Sequence, residues 1–481
     1  MTAMPLSSPL RLCATSSPAA LPGVFQPDYD RDRVSIGIVH LGPGAFHRAH
    51  QAFYFDQLLA QDPRWGICAV SLKSTGVRDA LAPQNGLYTL AQLDDQTTFR
   101  IVGSIVEVLV APEDPPAVFA RLASPMTRMV TLTVTEKGYC LSQEGSLDQA
   151  HPDIRHDLAN PRDPVSAIGY LVEGLRRRFL AGLPPYAVVA CDNLADNGWR
   201  LKAAVIAFAT KVDSELAAWI DVNGCFPRTM VDSITPATDD ALRERTVAAT
   251  GLDDAWPVQR EAFTQWVIED VLGPHAPDLA SVGVTLTDDV RGFERAKLRL
   301  LNGVHSTLAY AGILRGHVTV FEAMNDPILA KLAEDMMALD IIPTLIAPRG
   351  LDLGLYAEAI LKRFRNPEIR HLLAQIAWDG SQKLPFRILG TIADALDAGH
   401  SVERLAIPLA AWMHFVRRQA AAGTAIIDPL ADQLVAVAKS CSNETQADVA
   451  AFLALNTVFP ADLQSNEAFV AAIEKAYSAL T

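Results

Sequence analysis

The chain has 481 residues, half of them apolar and a fifth charged, which is typical of a globular protein large enough for two or three domains. The formal net charge of −14, without a cluster of lysine and arginine, argues against a nucleic-acid partner, because phosphate backbones bind basic surfaces. No apolar run approaches the roughly 18 residues that a membrane span needs. Six scattered cysteines without C-x-x-C spacing indicate neither a disulfide framework nor a metal site. We therefore expect a soluble cytoplasmic protein that binds no metal and no membrane.

The first half of the chain alternates between short apolar runs and helical segments. Residues 1–30 contain several prolines and no continuous apolar segment, so we expect a loose leader rather than a signal peptide. Four buried strands are predicted at 34–41, 67–72, 129–135 and 186–191, with helices such as 166–180 and 199–211 between them. Alternating strands and helices favour a parallel sheet covered on both faces.

After about residue 285 the pattern becomes mainly helical. Helices are predicted at 293–314, 327–337, 356–364 and 401–422, without a comparable series of strands. Asn466 is placed to cap the last helix, in which Phe469, Ile473, Tyr477 and Leu480 share one face. We therefore predict an α/β domain over 31–285, followed by a mainly α-helical domain over 286–481.

A glycine-rich turn follows the first predicted strand. Gly42 and Gly44 match the first two glycines of the dinucleotide-binding fingerprint, but His47 occupies the place of the third small residue. The alternative is an ordinary strand–turn–helix. The position after the first strand favours a cofactor loop, because the third glycine only serves helix–strand packing. The first domain is therefore predicted to be a Rossmann-like dinucleotide-binding domain.

Further polar residues follow other strands. Glu136 and Lys137 come after the third predicted strand, and Asn193 follows the fourth. Carboxyl ends of parallel strands share one edge, which is where ligands bind in such sheets. Lys73 follows the second strand, where NAD enzymes commonly carry an acidic residue. Lys73 either meets the 2′-phosphate of NADP or is an ordinary solvated lysine, so the choice of cofactor stays open.

The second half contains the segment AKLRLLNGVHST, with Lys297, Asn302 and His305. In a continuous α-helix these residues would share one broad face of a largely apolar helix. They are either satisfied buried polar residues or the lining of a site, because buried polar groups are costly without partners. A lysine removed from water can lose its proton near neutral pH, which suits a general base.

The chain resembles the polyol-specific long-chain dehydrogenase/reductase family. The matching segments, in family order, are VHLGPGAFHRAHQAF, TVTEKGYC, CDNLADNG, TMVDSITP, QWVIED, KLRLLNGVHS and DGSQKLP. They run from about residue 34 nearly to the C-terminus. In this family the phosphate loop is similar to Gly42-x-Gly44 followed by Phe46 and His47, without a third glycine. The resemblance implies NAD as cofactor, with NADP as the alternative, and adds Phe46 to the cofactor-binding candidates Lys73 and Glu136, which their positions after strands already suggested.

The resemblance also implies metal-independent hydride transfer between a nicotinamide and a secondary alcohol or ketone. By this resemblance Lys297 looks like the general base. Asn193 and Asn302 look like an oxyanion hole, for which neutral amide donors are suited. His305 would bind and orient the reacting oxygen.

The remaining substrate-site candidates bear on specificity. Asp232 and Lys383 match positions that line the family's substrate site. Lys137 and Arg387, together with Gln375 ahead of DGSQK, look more like the fructuronate reductase branch, whereas GLDDAWPV and MNDP look closer to mannitol dehydrogenases. A uronate carries a carboxylate, which favours a nearby cation such as Lys137 or Arg387, although either cation is equally compatible with a surface or structural role.

The expected function is therefore fructuronate reductase, which interconverts D-fructuronate and D-mannonate. The first alternative is a mannitol or arabinitol 2-dehydrogenase with the same catalytic residues. The remote alternative is a catalytically silent nucleotide- or sugar-binding protein. The expected partner is a small sugar acid or polyol, and the resemblance favours a monomer.

Overall fold

The computed structural model describes residues 9–16, 23–94, 96–142 and 144–480. The chain divides into two compact units, Met1–Val290 and Arg291–Thr481, where the sequence predicted a boundary between residues 285 and 286. Parts of the predicted leader, 1–8 and 17–22, lie outside the described residues.

The first unit contains all the strands in the described part of the chain. They are β1 (Leu10–Arg11), β2 (Val24–Phe25), β3 (Ile36–Leu41), β4 (Gly66–Ser71), β5 (Tyr88–Leu93), β6 (Thr98–Val102), β7 (Ile105–Val110), β8 (Met129–Leu132), β9 (Ala187–Ala190), β10 (Thr229–Asp232), β11 (Leu252–Asp253), β12 (Val258–Glu261), β13 (Gln265–Glu269) and β14 (Thr285–Thr287). The strands predicted at 34–41, 67–72, 129–135 and 186–191 correspond to β3, β4, β8 and β9.

The helices of the first unit connect and cover these strands. They are α1 (Ala45–Ala49), α2 (Gln51–Leu58), α3 (Gly76–Leu81), α4 (Pro115–Ala123), α5 (Pro152–Ala159), α6 (Ala167–Leu180), α7 (Asn197–Val212), α8 (Ser214–Asn223) and α9 (Asp240–Thr250). Short 3-10 turns lie at Arg31–Arg33, Pro63–Trp65, Ala82–Gln84, Glu136–Tyr139 and Leu279–Val282.

The main sheet has five strands in the order β7–β4–β3–β8–β9, and all its pairings are parallel. Val39 and Leu41 of β3 pack into a core with residues of α4, α6 and α7 on one face. Ile38 packs into a second core with residues of α2 on the other face. Burial on both faces explains why β3 is apolar in the sequence except for His40. The predicted parallel α/β domain is confirmed.

Three smaller sheets surround the main one: β12–β5–β6–β2, β10–β13–β14 and β1–β11. Two of them use residues of the segment expected to be a loose leader. Strand β1 pairs in parallel with β11, and β2 pairs in parallel with β6. The described part of that segment is therefore held by backbone hydrogen bonds to strands distant in sequence, which its proline-rich composition did not indicate.

The second unit is mainly helical, as predicted. Its helices are α10 (Val290–Ala296), α11 (Val304–Leu314), α12 (Val320–Asn325), α13 (Pro327–Asp335), α14 (Leu353–Phe364), α15 (Leu373–Ile376), α16 (Gly380–Leu384), α17 (Gly390–Asp397), α18 (Glu403–Ala422), α19 (Ala431–Ser440), α20 (Thr445–Leu453), α21 (Ala461–Gln464) and α22 (Glu467–Ala479). A 3-10 turn lies at Ile342–Thr344, and π-helical segments lie at Lys297–Gly303, Met336–Ile341 and Pro385–Leu389.

The last helix follows its prediction closely. The Asn466 side chain accepts a hydrogen bond from the Phe469 amide at 3.0 Å, as an N-cap does. Phe469, Ile473 and Tyr477 are buried, whereas Leu480 is 36% exposed. None of the helices in the described part of the chain combines the length and apolar composition that crossing a bilayer requires.

Candidate active site

The turn after β3 distinguishes the two predicted phosphate-loop glycines. Gly42 has φ +89°, and a Cβ atom there would collide with the carbonyl of Thr133. Gly44 has φ −67°, and the nearest atom to a Cβ there is the carbonyl oxygen of Gly42, 3.9 Å away. Gly42 is thus required by the turn, whereas Gly44 leaves open space beside the backbone. Such space lets a pyrophosphate approach the chain, so this turn fits a dinucleotide cofactor.

His47, the residue that departs from the fingerprint, packs inward. Its ring stacks on the ring of His40 with the centroids 3.3 Å apart and the planes at 11°. The His40 ring nitrogens lie 2.7 Å from Thr131 Oγ1 and 2.9 Å from Thr133 Oγ1. Burial lowers the pKa of His40 to about 3 and that of His47 well below its ordinary value. Two neutral stacked rings therefore fill the space between β3 and α1. In the fingerprint, a third glycine instead lets the helix pack closely against the strand.

The other cofactor candidates lie around the same edge of the sheet. Phe46 is half-buried, and its ring stacks on that of His50 with the centroids 5.0 Å apart. Lys73 follows β4, and its 80% exposed side chain forms a 3.5 Å ion pair with Asp153. Glu136 is exposed in the 3-10 turn after β8. Their roles toward a cofactor stay predictions.

The turn after β8 is strained and tethered. Thr135 has φ +64° and ψ 162°, a region that β-branched residues rarely adopt. Asp192, two residues after the end of β9, accepts hydrogen bonds from the amides of Val134 at 3.0 Å and Thr135 at 3.1 Å, and from the Tyr139 hydroxyl at 2.8 Å. This carboxylate holds the turn that carries Glu136 and Lys137. Asp192 is not among the site residues that the sequence predicted.

Replacing Asp192 with alanine is expected to lower the free energy of unfolding by about 2–4 kcal/mol, because three donors lose their acceptor. Tyr139→Phe removes only one of these bonds and is expected to cost about 1 kcal/mol. Asp240→Ala, at a fully exposed side chain, is the control that leaves stability unchanged. Urea unfolding measures all three variants. Equal stability of Asp192→Ala and Asp240→Ala would show that the hydrogen bonds to Asp192 do not stabilise this turn.

The remaining candidates of the first unit lie at strand ends. Asn193 follows Asp192 and is exposed, as is Lys137. Asp232 is the last residue of β10 and is 4% exposed. In register, Asp232 lies opposite Gln265 of β13. The structure therefore brings Gly42, the turn at Glu136–Tyr139 and Asn193 to the carboxyl edge of neighbouring strands, while Asp232 belongs to the β10–β13–β14 sheet.

One group of possible metal ligands occurs in the described part of the first unit. Donor atoms of Cys140, His151 and Asp153 lie within 4.8 Å of one another. His151 Nδ1 accepts the Asp153 amide at 3.2 Å, and the Asp153 carboxylate pairs with Lys73. Burial raises the pKa of the Cys140 thiol to about 11, which disfavours the thiolate. The absence of a metal stays a prediction.

In the second unit, the segment with Lys297, Asn302 and His305 differs from the continuous α-helix that the sequence predicted. Residues Lys297–Gly303 form a π-helix between α10 and α11, so the 100° spacing of an α-helix does not apply across it. Lys297 and His305 are buried, at 8% and 6% exposure, and Asn302 is half-buried. π-Helical turns inside α-helices are frequent at functional sites.

His305 has an unusual environment. Its Nε2 atom is buried and has no hydrogen-bond partner among the described residues. Its ring stacks on Phe364 with the centroids 4.4 Å apart and meets the edge of His371 at 5.1 Å. The pKa of His305 lies well below its ordinary value, mainly because of burial and further because Arg363 and Arg387 carry positive charge nearby. A neutral imidazole with an unused nitrogen is suited to bind a substrate oxygen.

The π-helical segment Pro385–Leu389 packs against the π-helical segment Lys297–Gly303. A Cβ on Gly303 would lie 2.9 Å from the carbonyl oxygen of Arg387, so only glycine allows this approach. Arg387 donates to Ser306 Oγ at 3.1 Å, and burial lowers its pKa. Lys383 lies 3.5 Å from the carbonyl oxygen of Ile376. The structure thus brings Arg387, a predicted site residue, close to His305. Arg363 and His371 also lie near His305, and the sequence did not single them out because nothing in their local pattern is distinctive.

Comparison with known proteins finds matches to both parts of the chain. Residues 36–280 match the mannitol dehydrogenase Rossmann domain, and residues 289–481 match the mannitol dehydrogenase C-terminal domain. D-mannonate oxidoreductase of Escherichia coli K12 is 43% identical, over 95% of this chain and 96% of the relative. Mannitol 2-dehydrogenase of Phaeosphaeria nodorum is 39% identical, over 96% of this chain and 82% of the relative.

A solved structure extends the likeness to three dimensions. The Pseudomonas fluorescens mannitol 2-dehydrogenase ternary complex with NAD and D-mannitol is 38% identical, covers 98% of this chain and 97% of its own, and aligns with a TM-score of 0.82. Both units are covered by the family matches, and the identity extends over nearly the whole length. This chain therefore belongs to the mannitol dehydrogenase family of oxidoreductases.

Proposed function

We propose that the protein is an NAD-dependent fructuronate reductase, which converts D-fructuronate, NADH and a proton into D-mannonate and NAD⁺ and catalyses the reverse oxidation. The observation that carries this proposal is the set of basic groups beside His305. Arg387 donates to the Oγ atom of the adjacent Ser306 at 3.1 Å, the His371 ring lies 5.1 Å away, and Arg363 adds positive charge that lowers the pKa of His305. A carboxylate-bearing substrate is stabilised by guanidinium groups, whereas a neutral hexitol gains nothing from their charge. The 43% identity to a D-mannonate oxidoreductase supports the same choice.

The cofactor would be held at Gly42 and Gly44, and when bound it supplies or accepts the hydride at the carbon that changes oxidation state. Lys297 gives a proton to the carbonyl oxygen in reduction and removes it from the hydroxyl in oxidation, so the hydride and the proton balance. Asn193 and Asn302 donate hydrogen bonds to the oxygen as it gains negative charge. His305, neutral in its buried setting, orients the same oxygen.

The surrounding residues bind the rest of the substrate. Asp232 is proposed to accept hydrogen bonds from sugar hydroxyls, and Lys383 lines the site near His371, whose pKa it helps to lower. Lys137 is proposed to supply a further positive charge that attracts the substrate carboxylate. A cytoplasmic location and a monomeric state stay predictions from the sequence.

The second candidate function is a mannitol or arabinitol 2-dehydrogenase that acts on D-mannitol and D-fructose. It is favoured by the 39% identity to a mannitol 2-dehydrogenase and by the likeness to a structure in complex with D-mannitol. The two candidates share their proposed catalytic residues and differ only in the charge of the substrate. A silent binding protein would bind NADH without turnover of either substrate class.

Steady-state kinetics with D-fructuronate and D-fructose, each with NADH and with NADPH, tests the proposal. We expect kcat/KM for D-fructuronate with NADH to exceed that for D-fructose by about 100-fold or more, which corresponds to one charge-assisted contact. Charge reversal by Lys137→Glu should raise KM for the acid alone, whereas Lys439→Glu, at an exposed lysine of α19, should change neither substrate. A higher kcat/KM for D-fructose would identify a mannitol 2-dehydrogenase instead.

A further inference from the structure

Two histidines of the second unit lie against each other although they are far apart in the sequence. The rings of His305 and His371 meet edge to face, with the centroids 5.1 Å apart and the planes at 89°. The Phe364 ring stacks on the other side of His305. His371 is fixed through its backbone, because its carbonyl accepts the Val320 amide at 3.0 Å beside the bridge between Thr319 and Leu372. Both rings therefore have defined positions.

Each ring carries a polar atom that the protein leaves unused. His305 Nε2 and His371 Nδ1 are buried and have no hydrogen-bond partner among the residues that the structure describes. Buried polar atoms are nearly always paired, and an exception at a site calls for a partner that is absent from the protein itself. Two such atoms on adjacent rings indicate a ligand with more than one oxygen.

The positive charge around His305 and His371 indicates that the ligand oxygens are anionic. Burial is the main reason why the pKa values of both histidines lie below their ordinary range, and the nearby cations lower them further. These cations are Arg363 and Arg387 for His305, and Lys383 for His371. Neutral imidazoles can donate a hydrogen bond without adding another like charge. An anionic oxygen in contact with such donors is stabilised both by the bonds and by the surrounding positive charge.

We propose that His371 is a substrate-binding residue, which donates a hydrogen bond to the carboxylate of the sugar acid while His305 binds the reacting oxygen. This inference rests on the proposed function and adds the subsite that recognises the acid. In a sugar acid such as fructuronate the carboxylate and the carbonyl are different groups of one short chain. Two neighbouring imidazoles can therefore bind one substrate at two points, and the selectivity for an acid depends on the second of them.

The test compares the full-length enzyme with His371→Ala, His371→Asn and the control His317→Asn, whose native ring pairs with Asp326 at 3.1 Å. We expect His371→Ala to raise KM for D-fructuronate about tenfold or more, with kcat changed by no more than about twofold and KM for D-fructose nearly unchanged. Asparagine places an amide donor close to the position of Nδ1, so His371→Asn should restore most of the affinity for the acid. His317→Asn should leave both substrates unaffected.

The outcomes separate this inference from the proposed function. A wild-type preference for D-fructose would overturn the proposed function before any variant is measured. A wild-type preference for D-fructuronate, combined with unchanged KM in His371→Ala or an equal rise for both substrates, would overturn only the role of His371. Thermal unfolding shows whether His371→Ala folds. If it does not, His371→Asn against His371→Gln decides, because glutamine moves the donor away from the Nδ1 position and should bind the acid more weakly.

Discussion

Replacing Lys297 with alanine is expected to lower kcat for ketone reduction by about 10³-fold, the contribution typical of a positioned general acid or base. Lys297 is buried at the start of the π-helical segment Lys297–Gly303, so bulk water is a poor substitute for its amine. NADH affinity, measured by fluorescence titration, should change by less than about twofold because the phosphate loop is part of the other unit. Stopped-flow absorbance at 340 nm measures the loss.

Three comparisons make the Lys297 experiment specific. Lys297→Arg keeps the positive charge, but a guanidinium group does not give up its proton in proteins. This variant should therefore be nearly as inactive as the alanine variant. Small primary amines added to Lys297→Ala should restore part of the rate in proportion to their concentration. Lys331→Ala, at a 73% exposed lysine paired with Asp335, should retain full activity. Normal turnover by Lys297→Ala would remove the residue from the mechanism.

The second large effect is expected at the phosphate loop, where the two glycines should respond differently. Gly42→Ala places a Cβ against the carbonyl of Thr133 at φ +89°. We expect a loss of about 2 kcal/mol or more in the free energy of unfolding, together with loss of NADH binding. Gly44→Ala has room for its methyl group and a permitted φ, so its stability should be unchanged or slightly higher.

For Gly44→Ala the expected effect is on binding alone. The methyl group occupies the space through which a pyrophosphate would approach the backbone, so the Kd for NADH should rise about tenfold or more. Chemical unfolding and fluorescence titration on the same preparations separate the two kinds of loss. If Gly44→Ala bound NADH like the wild type, the cofactor would lie elsewhere. If both variants lost stability equally, the assigned difference between the glycines would be wrong.

Much of the architecture could be predicted because its causes are local. The segment that forms β3 is apolar except for His40, since a central parallel strand is buried on both faces. The final helix carries its own N-cap at Asn466 and an apolar stripe at helical spacing, so its start and its buried face followed from neighbouring residues. The positions of Gly42, Gly44 and Asn193 just after strands similarly placed them at the carboxyl edge of the sheet.

The sequence by itself thus determined the two-part fold and the glycine turn after β3, and it supplied the predicted site residues. Only the tertiary structure decided what surrounds them: His47 stacks on His40, Asp192 tethers the turn at Thr135, and His305 lies against His371. The physical reason is that each of these contacts joins residues on different elements, whose distance depends on how the whole chain packs. Local patterns indicate propensity and burial. That the buried Nε2 atom of His305 has no hydrogen-bond partner among the described residues follows only from the positions of the neighbouring atoms.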